Sequence, residues 1–330
     1  MWEFIELLER DAGLKSDPLF DRIIAKERDL EFLLGELEEW KSKSYYCRQL
    51  PWPDPTGNAP YQYPTEVEQE ISRLTLRASA IYQTVQQFVF KNYRFINSAE
   101  LPRFFLPLFE AAFQLLQPLS KPLVVFTTNY DPAIEDLCER ESDGYDCIDG
   151  FFHDAASKSY VWRRNEFDHY AGPKSKKNIV LFKVHGSTTW IKTSKEIIRT
   201  APIYKEDDPA HRNVLIYPAK KKVAVEEPFF TAYDYFQRCM EGCRLCLTIG
   251  YSFRDEDALS RLRSAASINP NLKVIVLDPN SAEICSKKLR PLGIQAEPIG
   301  RRFEDMAGDG DANLRSQIRD DIAAAVASTS

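Results

Sequence analysis

A histidine stands where a buried strand is predicted to end, and its side chain could take up a proton near neutral pH. His185 directly follows the apolar run 179–184 (IVLFKV) and precedes Gly186 and Ser187. Ligands of an open parallel sheet bind outside the carboxyl ends of its strands, so we expect the His185 ring at the functional edge. The sequence therefore predicts a general base here. The other histidines are interpreted as structural: His153, His169 and His211.

Small, polar or titratable residues follow three further apolar runs. They are Thr127-Thr128-Asn129-Tyr130-Asp131 after 123–126, Gly250-Tyr251-Ser252 after 245–249, and Asp278-Pro279-Asn280 after 274–277. Parallel strands bring their carboxyl ends to one edge of the sheet, so these segments are expected to meet near His185. The prediction of a site depends on all four segments together.

Each of these segments taken alone also fits an ordinary structural role. Asn129 and Asp131 are suitable caps for the helix that is expected to begin after them. Asp278 and Asn280 suit a turn, and Gly250 suits a tight strand end. These readings remain open beside the functional one.

The elements that must position these residues alternate along the chain after residue 118. Continuous apolar runs predict strands buried on both faces, at 123–126, 179–184, 214–217, 245–249 and 274–277. Helical spacing between them predicts helices at 132–139, 229–240 and 255–266. The predicted fold class is α/β, a doubly wound, Rossmann-like parallel sheet.

The first part of the chain is predicted to be helical. Leu30, Leu33, Leu34 and Leu37 recur at helical spacing, and a Pro-rich loop at 50–64 interrupts the pattern. We expect a helical region at 1–118, a Rossmann-like core at 119–310 and a C-terminal helix or tail at 311–330.

The composition excludes several classes of protein. A formal net charge of −6 over 330 residues gives no general attraction to nucleic acid or to an anionic membrane. No apolar run approaches the roughly 18 residues that suggest a bilayer span. The chain has 7 cysteines and opens without a signal-peptide pattern, so we expect reduced thiols and a cytoplasmic protein.

Four segments in this order and spacing resemble the sirtuin-like (silent information regulator) superfamily, in particular its bacterial NAD-hydrolase branch. The matching segments are TTNYDPAIE at 127–135, KVHGSTTW at 183–190, IYP at 216–218 and IGYSFRDEDAL at 249–259. VLDPN at 276–280 fits less specifically. The matches together run over about residues 120 to 285.

The resemblance implies a role for each matching residue. Asn129 matches the asparagine that orients the nicotinamide ribose or the attacking water, and His185 matches the general base. Asp131 matches the acidic residue beside the nicotinamide pocket. The cofactor-binding positions that it implies are Thr127, Thr128, Asp131, Gly186, Ser187, Gly250, Tyr251, Ser252, Asp278 and Asn280.

The activity that the resemblance implies is hydrolysis of NAD to nicotinamide and ADP-ribose, with NAD as substrate and no zinc. It further implies a part in bacterial anti-phage defence through NAD depletion. Such an activity needs a gate. Either a homo-oligomer or a partner, an ATPase or another defence protein, could provide it. The alternative from another class is a module that binds NAD or ADP-ribose without hydrolysing it.

Three departures from the family pattern refine this expectation. Protein-deacylating members carry a zinc module with two CxxC pairs and a glutamine where Thr128 stands, and both differences disfavour a deacylase. The third departure is the glycine-rich loop that follows the first strand, because Gly13, Gly35 and Gly57 follow no predicted strand. We therefore expect a sheet that lacks one central strand and its phosphate-binding loop.

A rival motif is the CxxxCxxC spacing of three cysteines, typical of iron–sulfur enzymes that use S-adenosylmethionine. Cys239 and Cys243 fall at the end of a predicted helix, however, and Cys246 falls inside a predicted apolar strand. A cluster requires three thiolates that converge from an exposed loop, so this interpretation is disfavoured.

Overall fold

The computed structural model describes residues 2–15, 17–49, 52–53, 60–61, 65–93, 100–116, 121–168, 176–201, 211–215 and 226–303. The helices are α1 (Trp2–Asp11), α2 (Pro18–Ile24), α3 (Leu30–Gln49), α4 (Thr65–Tyr93), α5 (Leu101–Leu116), α6 (Ala133–Arg140), α7 (Phe229–Gly242), α8 (Glu256–Ile268) and α9 (Ser281–Ile284). The strands are β1 (Trp52–Pro53), β2 (Pro60–Tyr61), β3 (Leu123–Thr127), β4 (Tyr145–Ile148), β5 (Phe151–Asp154), β6 (Ser159–Trp162), β7 (Lys177–Lys183), β8 (Gly186–Thr193), β9 (Ile197–Arg199), β10 (His211–Leu215), β11 (Leu245–Ile249), β12 (Lys273–Leu277) and β13 (Gln295–Ile299).

The first parallel sheet has the strand order β3-β7-β4. Its strands end together, with Thr127 of β3 paired to Lys183 of β7. Ile179 and Leu181 of β7 pack in one core with α5 and α6, whereas Phe182 packs in another core with α7. Because successive side chains of a strand point to opposite faces, β7 is covered on both faces, as the apolar run predicted.

The second parallel sheet has the strand order β11-β12-β13. Val274 and Val276 of β12 pack in a core with α8, and Ile275 and Leu277 point to the opposite face. The predicted parallel α/β architecture and the three predicted helices, now α6, α7 and α8, are therefore confirmed. The edge strands β4 and β13 were not predicted, because polar residues and a proline interrupt their apolar pattern.

The two parallel sheets are separate within the described residues. β3 is an edge of one sheet and β11 is an edge of the other. All five residues of β11 remain half-buried, whereas the central strand β12 has four buried residues. The sequence predicted a sheet that lacks a central strand, and the described residues form two three-stranded halves instead of one continuous sheet.

One predicted parallel strand is wrong. Residues 214–217 were expected in the parallel sheet, but β10 pairs antiparallel with β8 in a five-stranded sheet of order β10-β8-β9-β6-β5. Val214 packs in the core with α7, and Leu215 packs against the core of the helical region. Both faces of this short run are thus covered without parallel pairing. Residues 216 and 217 lie outside the described residues.

The first part of the chain is helical, as predicted, and its helices pack around one core. Helices α1 to α4 share one cluster of buried side chains, including the predicted Leu30, Leu33, Leu34 and Leu37. Of the Pro-rich loop at 50–64, the described residues are those of the β1–β2 pair. Residues 311–330 lie outside the described part of the chain. Among the described residues, no helix is long and apolar enough to cross a membrane.

Candidate active site

The predicted strand ends lie side by side at one edge of the structure. The amide of Val184, just after β7, donates to the carbonyl of Thr127 at the end of β3, at 3.0 Å. The amide of Gly250 donates to the carbonyl of Leu277, also at 3.0 Å. His185, after β7, contacts Asp255 in the segment that follows β11. The structure therefore brings the four predicted segments together in two pairs.

Hydrogen bonds from β8 hold the segment that carries Asn129. The carbonyl of Tyr130 accepts from the amide of Thr188 at 2.9 Å and from its hydroxyl at 3.2 Å. The hydroxyl of Ser187 lies 3.3 Å from the same carbonyl. Asn129 itself is exposed, and its side chain makes no hydrogen bond with the described residues. This arrangement presents an amide side chain on a fixed backbone.

Lys183, whose role sequence reasoning missed, also supports this segment. Its ammonium group donates to the main-chain carbonyl of Asp131. It also forms an ion pair with Glu135 of α6, with 3.1 Å between Nζ and Oε1. A buried lysine requires such acceptors, because an unpaired buried charge is strongly disfavoured. The only sequence signal was a lone lysine at the end of an apolar strand.

Asp131 bonds to the start of α6, although the N-cap residue of that helix is Pro132. Its Oδ1 accepts from the amide of Ala133, the first residue of α6, at 3.0 Å. Its second carboxylate oxygen is not used in this contact. Thr127 and Thr128 are half-buried beside it, and the Thr127 hydroxyl accepts from the amide of Asn129 at 3.0 Å.

His185 is one member of a buried hydrogen-bonded group. Its Nε2 lies 2.9 Å from Oδ2 of Asp255, and the same oxygen accepts from the hydroxyl of Tyr233 at 2.7 Å. Oδ1 of Asp255 accepts from the amides of Asp257 and Ala258 at the start of α8. Burial raises the pKa of Asp255, but the hydrogen bond and charge interaction with His185 and the hydrogen bonds from Tyr233 and Ala258 outweigh it, so that the pKa lies below its ordinary value.

The other nitrogen of His185 has no partner among the described residues. The His185 side chain is about 2 % exposed, and its Nδ1 makes no hydrogen bond with them. The ring of Tyr130 is tilted by 34° against the imidazole, with 6.4 Å between the two ring centroids. A buried polar atom without a partner is unusual and calls for an explanation. Nδ1 is the nitrogen that is free to accept a proton.

Gly186 and Ser187 connect His185 to β8. Gly186 has a φ of 89°, and a Cβ placed on it would lie 2.0 Å from the carbonyl oxygen of Val214. Only glycine allows β10 to approach this closely. Ser187 is fully buried, and its hydroxyl lies 2.9 Å from that of Thr189. Both predicted binding residues therefore have structural contacts in the described residues.

The segment after β11 has an unusual backbone. Gly250 is exposed with a φ of 60°, and a Cβ there would meet nothing within 4 Å. Phe253 has a φ of 53°, a left-handed conformation that is uncommon for a bulky residue. The carbonyl of Ser252 accepts from Lys288 at 3.1 Å, and Tyr251 packs its ring against Phe253. The segment thus turns sharply and leaves the surface beside Gly250 open.

The segment after β12 forms the predicted turn. Oδ1 of Asp278 accepts from the amide of Asn280 at 2.7 Å. Asp278 is half-buried and Asn280 is exposed. Asn280 precedes α9 but its side chain does not cap that helix. One carboxylate oxygen of Asp278 and the Asn280 amide group therefore make no hydrogen bond with the described residues at this end of the sheet.

The three cysteines of the rival motif do not converge on a loop. Cys239 lies in α7, Cys243 follows its last residue and Cys246 lies in β11. Burial raises the pKa of Cys243 to about 11 and that of Cys246 to about 12, so these thiols stay protonated. No group of His, Cys, Asp and Glu side chains suited to a metal ion occurs within the described ranges.

The remaining histidines contribute nothing to this site in the part of the chain that is described. His153 is exposed on β5 and packs edge-on against Tyr160 in the antiparallel sheet. His169 lies outside the described residues, as does the side chain of His211.

A comparison with models of protein families identifies the family of the chain. The family model described as the SIR2-like domain matches residues 123–296, more than half of the chain. The matched range begins at β3 and ends in β13, so it contains every strand end described above. A search of curated proteins gives no match to the chain.

Proposed function

Because the chain belongs to the SIR2-like family, whose members are NAD-dependent enzymes, we propose that it hydrolyses the bond between nicotinamide and ribose in NAD. The observation that supports this most directly is the placement of Asn129 beside the segment that carries His185. The carbonyl of Tyr130 joins the two segments through Thr188. An amide side chain and a basic nitrogen thus belong to one rigid group of strand ends.

The residues have complementary tasks in this reaction. Asn129, exposed on a fixed backbone, orients the ribose or the attacking water without adding charge. His185 accepts the proton of that water at Nδ1, the nitrogen that the protein leaves free. Bond cleavage places positive charge on the ribose, and we propose that the carboxylate of Asp131, two residues after Asn129, stabilises that charge. Hydrolysis at this site requires neither a metal nor a redox change.

The other strand ends are suited to the remainder of NAD. The open surface at Gly250 leaves room for a phosphate or ribose beside the backbone. Asp278 and Asn280 offer a carboxylate oxygen and an amide at the end of the neighbouring strand, suited to ribose hydroxyls. We propose that Thr127, Thr128, Tyr251 and Ser252 complete this surface, and that Gly186 and Ser187 shape it through β8.

A second function is favoured by one specific observation, the burial of His185. A base that is about 2 % exposed cannot reach a ligand unless the side chains over it move. A module that binds NAD or ADP-ribose at the exposed strand ends without hydrolysing it would not require that movement. The two functions differ in one readout, since only hydrolysis releases nicotinamide.

The cellular role is proposed from the family resemblance. It is NAD depletion in bacterial anti-phage defence, carried out in the cytoplasm. Uncontrolled hydrolysis would harm the host, so a homo-oligomer or a partner ATPase is proposed as the gate.

The experiment compares nicotinamide release from NAD by the full chain and by Asn129→Ala and His185→Gln variants. We expect both substitutions to lower the rate by about 100-fold or more. Asn271→Ala is the matched control, because Asn271 is exposed at the opposite end of the sheet, before β12. Calorimetric titration with NAD accompanies the assay. Binding without nicotinamide release would support the binding module or an enzyme held closed by its gate, and equal loss in Asn271→Ala would contradict the proposed site.

A further inference from the structure

We propose that Asp255, supported by Tyr233, is the positioning residue that fixes His185 with its proton on Nε2 and so makes Nδ1 the base. This inference rests on the proposed hydrolysis of NAD and assigns the control of its base. It concerns two side chains that come from α7 and from the start of α8, 48 and 70 residues away from His185 in sequence.

The hydrogen bonds of Asp255 indicate its charge state. A carboxylate only accepts hydrogen bonds, whereas a protonated carboxyl would also have to donate one. Oδ1 accepts from the amides of Asp257 and Ala258, at 3.0 Å and 3.1 Å. Oδ2 accepts from Tyr233 at 2.7 Å. Three donors already point at the carboxylate, as expected of its ionised form.

The contact with Asp255 also locates the proton on His185. Oδ2 of the ionised Asp255 can only accept, so the imidazole nitrogen 2.9 Å away must donate. That nitrogen is Nε2, and a neutral imidazole then carries its lone pair on Nδ1. The hydrogen bond therefore selects one of the two neutral forms of the ring. The selected form has its basic nitrogen on the side that has no partner among the described residues.

Several contacts hold the carboxylate of Asp255 in place. Its Oδ1 contacts hold the carboxylate at the first turn of α8, where it serves as the N-cap. Phe253, two residues earlier, holds the backbone in a left-handed conformation and is itself buried. The hydroxyl of Tyr233 remains a donor, because burial and the Asp255 carboxylate raise its pKa. The carboxylate consequently cannot rotate away from His185 without breaking several contacts.

The two ring nitrogens of His185 have different surroundings. An unbonded buried nitrogen is unfavourable, so a buried histidine usually has both ring nitrogens bonded. Here one nitrogen is bound by an oriented carboxylate and the other is left free. This division matches a base that is held by one nitrogen and reacts through the other.

The first test observes the ring directly, through long-range ¹H–¹⁵N spectra of the full chain, in which only 4 histidines contribute. His185→Gln assigns the resonances. We expect the wild type to show a protonated Nε2 and an unprotonated Nδ1, and Asp255→Asn to show a mixture or the reverse. Asp257→Asn, on the same turn of α8, is the matched control and should leave the spectrum unchanged. A proton on Nδ1 in the wild type would overturn the proposal.

The second test is kinetic. We expect Asp255→Asn to lower kcat for nicotinamide release by about 100-fold or more while KM changes by less than about threefold. Tyr233→Phe removes one donor and should lower kcat by about tenfold. Tyr235→Phe is its control, because that hydroxyl bonds to Asp168 away from His185. Unchanged kcat in Asp255→Asn, with normal wild-type turnover, would also overturn the proposal.

The two tests separate this inference from the proposed function. A wild type that shows the expected ring form but releases no nicotinamide supports the orientation of the ring by Asp255, and it contradicts both the hydrolase and the use of Nδ1 as its base. A wild type that turns over NAD with the opposite ring form supports the hydrolase and contradicts the positioning role. If Asp255→Asn does not fold, the wild-type spectrum and the kinetics of Tyr233→Phe still decide the question.

Discussion

Lys183 and Glu135 form an ion pair beneath the Asn129 segment, with the lysine side chain 1 % exposed and 3.1 Å between Nζ and Oε1. The same ammonium group holds the carbonyl of Asp131. The pair thus joins β7, α6 and the segment between β3 and α6. A buried charge that loses its partner is strongly destabilising.

We predict that Lys183→Met lowers the free energy of unfolding by about 3–5 kcal/mol, because it leaves the Glu135 carboxylate buried without its cation. Denaturant unfolding of the full chain measures this. Lys192→Met is the control, because the Lys192–Glu226 pair is exposed and should contribute less than about 1 kcal/mol. Adding Glu135→Gln to Lys183→Met should recover part of the loss. Equal effects of the two lysine substitutions would contradict the prediction.

Gly186→Ala is expected to lower the free energy of unfolding more than Gly250→Ala does. A Cβ at Gly186 would lie 2.0 Å from the Val214 carbonyl, so β8 and β10 would have to separate. We expect a loss of about 2–5 kcal/mol, against about 1–2 kcal/mol at Gly250, where only the left-handed backbone is unfavourable. Thermal and denaturant unfolding distinguish them. A similar loss at both positions would show that the close approach is not rigid.

The acid stability of the protein should depend on Asp255. Its folded pKa lies below the ordinary value of 3.8, so its contribution to stability is complete above that pH. The contribution is lost as the pH falls from 3.8 through the folded pKa. We predict that Asp255→Asn flattens the fall in unfolding free energy on this acidic side, whereas Asp257→Asn does not. Urea unfolding at a series of pH values tests it, and parallel curves for wild type and Asp255→Asn would refute it.

The helical region is tied to the site by Arg254. Its guanidinium group lies 3.0 Å from the buried Asp29 and 3.1 Å from Glu27, both between α2 and α3. Arg254→Ala should speed amide exchange at 26–33, as measured by hydrogen exchange with mass spectrometry. Global stability should change by less than about 1 kcal/mol, because the guanidinium group is about half exposed. Arg238→Ala, in an exposed pair on α7, is the control. Unchanged exchange at 26–33 would refute the prediction.

Much of the parallel core could be predicted because its signals are local. A continuous apolar run such as that of β7 or β12 requires cover on both faces, and the structure supplies it. The antiparallel sheet could not be predicted in the same way. The run that contains Val214 resembled a parallel strand, but its two faces are covered by α7 and by the helical region.

The candidate site could be predicted only where residue type and strand position coincided. His185 and Asn129 stand at strand ends, and the structure brings their segments together. Lys183, Tyr233 and Asp255 could not be assigned, because their roles depend on partners far away in sequence. Asp255 was included in a predicted helix start, which accounts for one carboxylate oxygen and not for the other.

Tyr130 is shared between two parts of the molecule. Its ring faces His185 and also belongs to the buried core of α1 to α4. A ligand that displaces this ring from His185 therefore also removes an aromatic side chain from the helical core. Occupancy of the site and packing of the helices are then reciprocally linked. A change that stabilises the packing of Tyr130 in that core therefore weakens the binding of such a ligand. The ligand in turn destabilises that packing by the same free energy.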